Sequence, residues 1–323
     1  MKVIYIEQPG NEEPWYTDFA TALGDRFPHI VLDRDAPLAP QFEGVRVVVD
    51  QGGHGTRAMI DAGAEAGVEL WQCVTTGLDH CDVGYMLKQG MRVNNTPGVF
   101  SAVALAEHVL FLMLFVAKKF RESEANLRSG ILYHPLNDEL EGTTLGLVGL
   151  GASGRELARR ASVLGLRVIA VDAYPVPVDE LAALGVESCD GPEQLDRLLR
   201  ESDYVSIHIP LTAETRHLID AAKLELMKPS GVLINVARGG IVDEAALAAA
   251  LASGRLRAAG IDVFSQEPPG ADNPLLQLPN VVATPHVAGT TYGTSRRRGV
   301  VCVENIARIA DGLPPLYEVT SAA

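Results

Sequence analysis

Short apolar runs separated by longer mixed segments dominate the first hundred residues of the chain. The runs occupy residues 3–6, 45–49, 70–74 and 91–93. Apolar strands separated by helix-length segments indicate parallel βαβ units. The rhythm breaks at NNTPG, residues 94–98, because Pro and Gly together interrupt regular structure and the residue before Pro avoids the helical region. We therefore predict that a first α/β domain ends near residue 100.

A longer series of the same kind begins at Thr143. Its apolar runs are TTLGLVG, RVIAVD, YVSIHIP, GVLINVA, AAGIDVF and VVATPH. Runs that are apolar on both faces are typical of parallel strands covered by helices on either side. Before this series, residues 103–120 predict a helix that is apolar on nearly every side, which a hinge or a subunit interface would bury. The polar residues 121–141 predict a loop.

The tail of the chain predicts one long helix after Gly289, because apolar positions recur at helical spacing over residues 300–309. This helix could return to pack on the first domain, which would then be discontinuous. We therefore predict one domain from residues 1–100 and 289–323, and a second domain from residues 101–288.

The size and charge of the chain exclude some partners. Its 323 residues, 47% of them apolar, exceed the roughly 250–300 residues at which a single core stops growing, which favours two domains. The net charge of -14 disfavours nucleic acid and anionic membranes as partners. The opening MKVIYIEQPG predicts a strand rather than a signal peptide, and the apolar residues 109–117 are fewer than the about 20 that cross a bilayer. We expect a cytoplasmic protein.

Several polar residues predict structural roles only. Four cysteines stand without paired metal-ligand spacing, and we expect reduced thiols: Cys73, Cys81, Cys189 and Cys302. His80 beside Cys81 has no second pair at ligand spacing, so a structural role is favoured over a metal site. His54, after the run 45–49, is either a substrate contact or a plain loop residue. The run of three arginines at 296–298 predicts a solvated helix face.

A glycine motif, GLGASG at residues 149–154, follows the strand sequence LGLVG and precedes the helical sequence ELARRASVLG. A GxGxxG pattern between a strand and a helix is a dinucleotide-binding fingerprint. Gly149 permits the tight turn, Gly151 lets the backbone approach a pyrophosphate, and Gly154 lets helix and strand pack closely. Free amides at the start of the helix face the phosphates.

The next strand ends at Asp172, eighteen residues after Gly154. This is close to the roughly 20-residue interval at which a carboxylate meets the adenosine ribose. The carboxylate would repel the 2′-phosphate of NADP, and the following Ala173, Tyr174 and Pro175 supply no cation to bind it. The sequence therefore favours NAD over NADP.

Three later segments each place a charged or titratable residue beyond a strand, where open α/β sheets bind ligands. Arg238 follows VLIN, Glu267 lies in IDVFSQEPP and His286 follows VVATP. A guanidinium binds a carboxylate through two parallel hydrogen bonds, and histidine exchanges protons near neutral pH. A carboxylate beside an imidazole fixes its tautomer. We predict that Arg238 anchors a substrate carboxylate, that His286 is the acid and base, and that Glu267 orients His286.

These segments, with SIHIPLTAETRHLI, LINVARGGIVDEAAL, AAGIDVFSQEP and TPHVAG, resemble the D-isomer-specific 2-hydroxyacid dehydrogenase family, which includes phosphoglycerate dehydrogenases and glyoxylate or hydroxypyruvate reductases. The resemblance covers nearly the whole chain, including VTTGLDHCDV and GMRVNNTPG. It implies an α/β protein of two doubly wound domains. A Rossmann-type NAD domain, residues 101–288, would be inserted into a smaller flavodoxin-like substrate domain, residues 1–100 and 289–323.

The resemblance also implies roles for individual residues. The backbone at Thr76 and Gly77 is expected to bind the substrate carboxylate. The residues expected to bind NAD are Gly149, Gly151, Ala152, Ser153, Gly154, Asp172, His208, Pro210, Thr215, Ala237, Arg238, Asp262, His286 and Gly289. Ala152-Ser153 stands where the family often has Arg-Ile, which removes one side-chain phosphate contact and leaves the amides. The glutamate that commonly follows the family's TPH segment is missing here.

We expect the protein to interconvert a small D-2-hydroxy acid and its 2-oxo acid with NAD, as a homodimer and without a metal. Reduction of a 2-oxo acid such as glyoxylate or hydroxypyruvate is favoured, while phosphoglycerate oxidation stays open. Two alternatives are a formate- or phosphite-type dehydrogenase of the same fold and an NAD-sensing, non-catalytic scaffold. The acidic charge counts against the scaffold.

Overall fold

The computed structural model describes residues 1–11 and 13–321. The chain divides into two compact units, Met1–Phe100 with Thr291–Ala323, and Ser101–Thr290. It re-enters the first unit two residues later than the predicted residue 289.

Strands and helices alternate along most of the chain. The strands are β1 (Lys2–Ile6), β2 (His29–Val31), β3 (Val45–Asp50), β4 (Leu70–Cys73), β5 (Arg92–Asn94), β6 (Thr144–Val148), β7 (Arg167–Val171), β8 (Val186–Asp190), β9 (Tyr204–Ile207), β10 (Val232–Asn235), β11 (Ala258–Ile261), β12 (Val281–Ala283) and β13 (Glu318–Val319). The helices are α1 (Trp15–Leu23), α2 (Leu38–Phe42), α3 (Arg57–Ala66), α4 (Val83–Lys88), α5 (Ala102–Ala117), α6 (Phe120–Arg128), α7 (Ala152–Val163), α8 (Val178–Leu184), α9 (Leu195–Glu201), α10 (Ala221–Leu224), α11 (Glu244–Ala252), α12 (Pro274–Gln277) and α13 (Tyr292–Ala310).

The first unit contains a sheet with the strand order β13-β5-β4-β3-β1-β2. Its first five strands in the chain are parallel and follow the order 2-1-3-4-5, which is the flavodoxin-like arrangement. The flavodoxin-like prediction is therefore confirmed. The antiparallel β13 adds an edge next to β5. β2 and β13 were not predicted, because three and two residues are too few to show a periodic pattern.

The second unit contains a seven-stranded parallel sheet with the order β12-β11-β10-β9-β6-β7-β8. Its first six strands in the chain take the Rossmann order 3-2-1-4-5-6, which confirms the predicted fold of this unit. The chain order reverses between β6 and β9, where Val148 lies opposite Ile207. The residues that follow these two strands therefore leave the sheet side by side.

Helices cover both faces of this sheet. On one face, Leu112 of α5 and Leu157 of α7 are buried in one cluster with Leu147 of β6. On the other face, Leu198 of α9 and Leu247 of α11 belong to a second buried cluster. Burying each such leucine stabilises the fold by about 1.5–3 kcal/mol. The apolar character of the strands on both faces is explained by this two-sided burial.

The segment after α5 differs from its prediction. Residues 121–141 were expected to form a loop, but α6 occupies Phe120–Arg128. The sequence of α6 is mostly polar, and its two large apolar residues, Phe120 and Leu127, are exposed, so it has no core-facing apolar side. A tertiary contact holds it, since Arg121 Nη1 donates at 2.8 Å to the carbonyl oxygen of Val281, the first residue of β12.

The C-terminal helix α13 packs against α1. At Gly299 a Cβ would lie 3.3 Å from the backbone of Phe19, so the two helices approach closely there. The prediction of a solvated face for residues 296–298 is wrong for Arg298, which is largely buried. Its guanidinium donates to the carbonyl oxygen of Val74 at 3.2 Å and to Thr76 Oγ1 at 2.9 Å. The arginine is turned inward because two acceptors of the segment after β4 lie within its reach.

Two further findings apply to residues 1–11 and 13–321. None of the helices there has the length and apolar character that crossing a bilayer requires. In the same residues, no three histidine, cysteine or acidic side chains are grouped so that they could hold a metal ion.

Candidate active site

The predicted site residues of the second unit follow the ends of its strands. The residues just beyond six strands are Gly149 after β6, Asp172 after β7, His208 after β9, Arg238 after β10, Asp262 after β11 and His286 after β12. Because these strands are all parallel, their carboxyl ends share one edge of the sheet. Open α/β sheets bind ligands at this edge, at the point where the strand order reverses. That point lies beside Gly149 and His208.

Two glycines of the fingerprint are required by the packing of the protein itself. Gly149 has a φ of +100°, and a Cβ there would lie 2.9 Å from the carbonyl oxygen of His208. A Cβ on Gly154 would lie 2.3 Å from the carbonyl oxygen of Gly149. Gly151 is different, because a Cβ there would meet no atom of the described chain within 4 Å. The surface over Gly151 is therefore open to a ligand.

The first turn of α7 begins next to this open space, with Ala152 and Ser153. Amides in the first turn of a helix have no acceptor within the helix and carry its positive dipole end. Such a turn binds the pyrophosphate of a dinucleotide. The open space at Gly151 and the free amide positions beside it fit this group, and no arginine at residue 152 is needed for them to do so.

Asp172 is held against the glycine turn by two backbone amides. Its Oδ2 accepts a hydrogen bond from the amide of Leu150 at 2.6 Å, and its Oδ1 accepts one from the amide of Tyr174 at 2.9 Å. A carboxylate fixed at this position accepts hydrogen bonds from ribose hydroxyls and repels a phosphate. The placement matches what the ribose of NAD requires.

Glu267 and His286 form a direct pair. Nδ1 of His286 lies 2.7 Å from Oε2 of Glu267. Since a carboxylate only accepts, Nδ1 must carry the proton of this hydrogen bond. The other ring nitrogen, Nε2, is then free to exchange a proton. The imidazole is about half exposed, so a substrate can reach it.

The charge of Glu267 is set by its neighbours. Burial would raise the pKa of Glu267, but hydrogen bonds from His286 and from the amide of Phe264, together with the charges of His286 and Arg238, lower it overall. The Phe264 amide donates to Oε1 at 2.9 Å. Glu267 is therefore a carboxylate at neutral pH. Arg238 lies near enough for its positive charge to stabilise this carboxylate.

Gly239 explains how Arg238 is brought to this pair. A Cβ on Gly239 would lie 2.0 Å from the carbonyl carbon of Phe264, so only glycine lets these two backbone segments touch. The contact places Arg238 beside the segment that leads to Glu267. The Arg238 side chain also donates to the carbonyl oxygen of Ala237 at 2.9 Å.

Asp262 fixes the backbone that carries His286. Its carboxylate is fully buried and accepts hydrogen bonds from the Thr284 hydroxyl at 2.6 Å and from the amides of Val287 and Ala288, both at 2.9 Å. The amide of His286 donates to the carbonyl oxygen of Asp262 at 2.8 Å. His286 itself has a φ of +55°, a conformation that few non-glycine residues adopt. The surrounding hydrogen bonds therefore hold His286 in a strained position, as is common at functional sites.

His208 is held between two serines. Its Nδ1 lies 2.9 Å from Ser153 Oγ and its Nε2 lies 2.9 Å from Ser206 Oγ. Burial lowers the pKa of His208 to about 4, so the ring is neutral at physiological pH. The predicted contact of His208 with the nicotinamide side of the cofactor stays a prediction.

The remaining predicted cofactor contacts lie close to these elements. Thr215 Oγ1 donates to the carbonyl oxygen of Pro210 at 2.7 Å and closes the turn after β9. The amide of Ala237 donates to Oδ1 of Asn235 at 3.1 Å. Gly289 lies against the start of α5, where its Cβ would be 3.4 Å from Leu105. The contacts of these residues with NAD also stay predictions.

Comparison with known proteins agrees with this geometry. Residues 110–288 match the family model described as "D-isomer specific 2-hydroxyacid dehydrogenase, NAD binding domain". The chain belongs to this family. The match includes the glycine turn, Asp172, Arg238, Glu267 and His286.

Individual relatives extend the likeness beyond the NAD-binding domain. A hydroxypyruvate reductase of Thermotoga maritima is 38% identical over 282 residues, which is 86% of this chain and 88% of the relative. A D-3-phosphoglycerate dehydrogenase of Archaeoglobus fulgidus is 39% identical over 240 residues, 74% of this chain. That match spans only 44% of the relative's length. The crystal structure of D-lactate dehydrogenase from Aquifex aeolicus with NAD and lactic acid has a TM-score of 0.81 at 26% identity, covering 99% of this chain and 100% of that one.

The predicted carboxylate-binding segment of this family member lies in the first unit, after β4. Thr76 Oγ1 donates to the carbonyl oxygen of Thr96 at 3.2 Å and accepts from Arg298 at 2.9 Å. Asn95 Nδ2 donates to the carbonyl oxygen of Thr76 at 2.7 Å. The amides of Thr76 and Gly77 find no acceptor among the described residues. The segment is therefore fixed by its neighbours, and its two unpaired backbone amides can donate hydrogen bonds to a carboxylate.

Sequence reasoning missed the residues that position the site. Arg298 was grouped with surface arginines, and a run of three arginines contains no signal for which one turns inward. Ser206 was read only as part of a strand. The dense hydrogen bonding of Asp262 was also not foreseen. Its position directly after β11, where site residues accumulate, was the one available signal.

Proposed function

We propose that this protein interconverts a small D-2-hydroxy acid and the corresponding 2-oxo acid, using NAD. The observation that carries the proposal is the 2.7 Å hydrogen bond between His286 and Glu267, at the strand edge that also holds Arg238 and the glycine turn. This reaction needs an acid–base group, a residue that binds the substrate carboxylate and a dinucleotide-binding turn. All three lie on this one edge of the sheet.

His286 exchanges the proton. In the reductive direction Nε2 donates a proton to the oxygen at the second carbon of the substrate, and in the oxidative direction it takes that proton back. Glu267 accepts from Nδ1 throughout, so the ring keeps the orientation that points Nε2 away from the carboxylate. Glu267 also stabilises the positive imidazolium form of His286, which donates the proton in reduction and is formed in oxidation.

Arg238 orients the substrate. Its guanidinium binds the substrate carboxylate and polarises the neighbouring carbonyl. Holding a carboxylate by two parallel hydrogen bonds restricts the pose of the second carbon. A substrate without a carboxylate would lose this orientation.

The second unit holds the cofactor, and the first unit contributes the substrate-binding segment. The glycine turn and the first turn of α7 bind the pyrophosphate, and Asp172 binds the adenosine ribose. When bound, the nicotinamide supplies or accepts the hydride of the redox step. The fixed carboxylate of Asp172 favours NAD over NADP, because a 2′-phosphate would meet a like charge.

The substrate is a 2-oxo acid in the direction we favour. The names of two relatives, hydroxypyruvate reductase and D-3-phosphoglycerate dehydrogenase, cover both an unphosphorylated and a phosphorylated substrate. Selectivity between them depends on the side chains that surround the third carbon of the substrate. Reduction of a short 2-oxo acid such as glyoxylate or hydroxypyruvate is the activity we propose first.

We also propose that the protein is a cytoplasmic homodimer. The outer side of α5 exposes Phe111 and Leu114 to 46% and 40%, and Phe120 of α6 is 53% exposed. Aromatic and leucine side chains that adjoin one another on a surface favour an interface with a second copy of the chain. Sedimentation at several protein concentrations tests this, since a monomer throughout would contradict it.

A steady-state panel tests the proposed activity. The purified protein is given NADH or NADPH with glyoxylate, hydroxypyruvate, pyruvate and 3-phosphohydroxypyruvate, and in the reverse direction NAD with formate or phosphite. We expect turnover with at least one 2-oxo acid, faster with NADH. Turnover with formate or phosphite alone, or NAD binding without turnover of any compound, would contradict the proposal and favour one of its two alternatives.

A further inference from the structure

His108 of α5 is hydrogen-bonded to the segment that carries His286. Its Nε2 lies 3.0 Å from the hydroxyl of Thr284, two residues before His286, and 3.6 Å from Oδ1 of Asp262. The His108 side chain is only 15% exposed. All four residues belong to the second unit. A polar ring that is largely buried beside two oxygens makes hydrogen bonds there as well as packing contacts.

The proton positions of this group follow from its partners. The Thr284 hydroxyl lies 2.6 Å from Oδ1 of Asp262. A carboxylate only accepts and a hydroxyl has one hydrogen, so Thr284 donates that hydrogen to Asp262. The hydroxyl oxygen can then only accept from His108. Nε2 of His108 therefore carries a proton, and in the neutral ring Nδ1 does not.

The contact between His108 and Thr284 is made by a neutral ring. Burial lowers the pKa of His108, and the charge of Asp262 opposes this shift only in part. The hydrogen bonds therefore run in one direction, from the imidazole through the hydroxyl to the carboxylate. In a chain of this kind each bond polarises the next and strengthens it.

Asp262 is the point at which this chain of hydrogen bonds reaches His286. Its carboxylate accepts from the amides of Val287 and Ala288, both at 2.9 Å, and its peptide carbonyl accepts from the amide of His286 at 2.8 Å. These bonds hold residues 286–288. Because His286 has a φ of +55°, it stays in this conformation only while its surroundings hold it.

His108 stands on a rigid element, whereas His286 does not. α5 is packed on the sheet through Val109 and Leu112, both fully buried, and the ring of Phe111, one turn along, lies 5.6 Å from the His108 ring between centroids. His286 lies in residues 284–290, which form neither helix nor strand. A side chain on a packed helix is placed more accurately than one on a loop, so it can fix the loop.

We propose that His108 is a positioning residue for His286, which it holds in place through Thr284 and Asp262. The inference rests on the proposed role of His286 as acid and base. In this role His108 exchanges no proton with the substrate. Its Nε2 hydrogen keeps the Thr284 hydroxyl directed at Asp262, and Asp262 keeps residues 286–288 in place. Without that donor the hydroxyl can rotate away, and the buried carboxylate loses a hydrogen bond.

Two substitutions of His108 separate hydrogen bonding from packing. His108→Leu keeps an apolar group but removes the donor, whereas His108→Gln can place an amide nitrogen near the position of Nε2. We expect kcat to fall roughly tenfold in His108→Leu, the effect of losing one buried hydrogen bond, with KM for the 2-oxo acid little changed. His108→Gln should recover most of the loss. Glu107→Gln, at an exposed position of α5, is the matched control and should keep the wild-type kcat.

A double-mutant cycle tests the route through Thr284. Thr284→Val replaces the hydroxyl by a methyl group of similar size and breaks the same chain at its next link. If His108 acts through Thr284, adding His108→Leu to Thr284→Val should lower kcat no further. Two independent contributions would instead multiply the two losses.

Nuclear magnetic resonance of protein labelled with ¹⁵N-histidine gives a reading that needs no turnover. In the wild type we expect His108 to be protonated on Nε2 and not on Nδ1. The ring signals of His286, assigned by their loss in His286→Asn, should shift in His108→Leu and return close to their wild-type positions in His108→Gln. If no 2-oxo acid is turned over, the proposed function fails, while these signals still test the role of His108.

Three results would overturn the proposal. A proton on Nδ1 and not on Nε2 of His108 in the wild type would break the chain at its first bond, and this measurement requires no variant to fold. Unchanged His286 signals in a folded His108→Leu would show that the chain does not reach His286. A kcat in the double variant that is lowered by the product of the two single losses would show that His108 does not act through Thr284.

Discussion

Nδ1 of His286 donates a 2.7 Å hydrogen bond to Oε2 of Glu267, across nineteen positions of sequence. Glu267 is fixed in turn by the amide of Phe264, and the backbone of His286 is fixed by Asp262. His286, the proposed acid–base group, is therefore held at both its ring and its backbone. Preorganisation of this kind avoids the cost of orienting the group during the reaction.

Replacing His286 tests its assignment as acid and base. His286→Asn should lower kcat by about 10²- to 10⁴-fold, the range that general acid–base catalysis contributes. NADH affinity, measured by fluorescence titration, should stay close to the wild-type value, because the ring exchanges a proton with the substrate. His134→Asn, at an exposed histidine, is the matched control and should change neither quantity. Equal losses of kcat and NADH affinity in His286→Asn would contradict the assignment.

The two glycines at the start of α7 should respond differently to alanine. Gly151→Ala adds a methyl group to open space, so the free energy of unfolding should change by less than about 0.5 kcal/mol while NADH binding weakens. Gly154→Ala forces a methyl group onto the Gly149 carbonyl oxygen and should destabilise the fold by about 1–3 kcal/mol. Urea unfolding and NADH titration measure both effects. Unchanged NADH affinity in Gly151→Ala would place the pyrophosphate elsewhere.

Asp172 should set the choice between the two dinucleotides. In Asp172→Asn the amide keeps an oxygen for the Leu150 amide, but the negative charge that repels a 2′-phosphate is gone. We expect the ratio of kcat/KM for NADH over NADPH to fall by about tenfold or more, since a like-charge contact costs several kcal/mol. Asp190→Asn, at the end of the neighbouring β8, is the control. The same ratio in Asp172→Asn and wild type would remove Asp172 from the ribose site.

Arg298 should act on substrate binding through Thr76. Arg298→Met removes both hydrogen bonds to the segment after β4, so we expect KM for the 2-oxo acid to rise more than kcat falls. Arg296→Met removes an exposed arginine from the same helix and should leave KM unchanged. Steady-state kinetics with saturating NADH separate the two parameters. A pure loss of kcat in Arg298→Met would argue against a positioning role.

His208 should make stability depend on pH in a defined window. Its pKa falls from an ordinary value near 6.5 to about 4 on folding, because burial disfavours the charged ring. The unfolded chain therefore binds the extra proton between these two values. Stability is complete above about pH 6.5 and decreases as the pH falls towards 4, by up to about 3 kcal/mol from this group.

Urea unfolding of the wild type and of His208→Gln at several pH values measures this contribution. Gln has no proton to gain in this range, so the variant should lose less stability than the wild type between pH 6.5 and 4.5. Parallel loss in both proteins would show that His208 does not carry the effect.

Much of the fold could be predicted because it depends on local patterns. The two-sided apolar runs of β6, β7 and β10 predicted a parallel sheet, and the glycine turn identified where its ligand edge lies. α6 was missed because its segment is mostly polar and none of its side chains is buried, while Arg121 holds it against β12. β2 and β13 were missed because they are too short for a pattern to appear.

The sequence by itself determined the two α/β folds and the chemical types of the site, since hydrophobic period, glycine spacing and side-chain functional groups are properties of the chain. Only the tertiary structure decided which groups meet. His286 touches Glu267, and one arginine of three turns inward to Thr76. These pairings depend on backbone approaches such as that at Gly239, where a Cβ-free contact brings separate segments together. The distances between these groups and their ionisation states follow from that packing, so no single sequence segment could predict them.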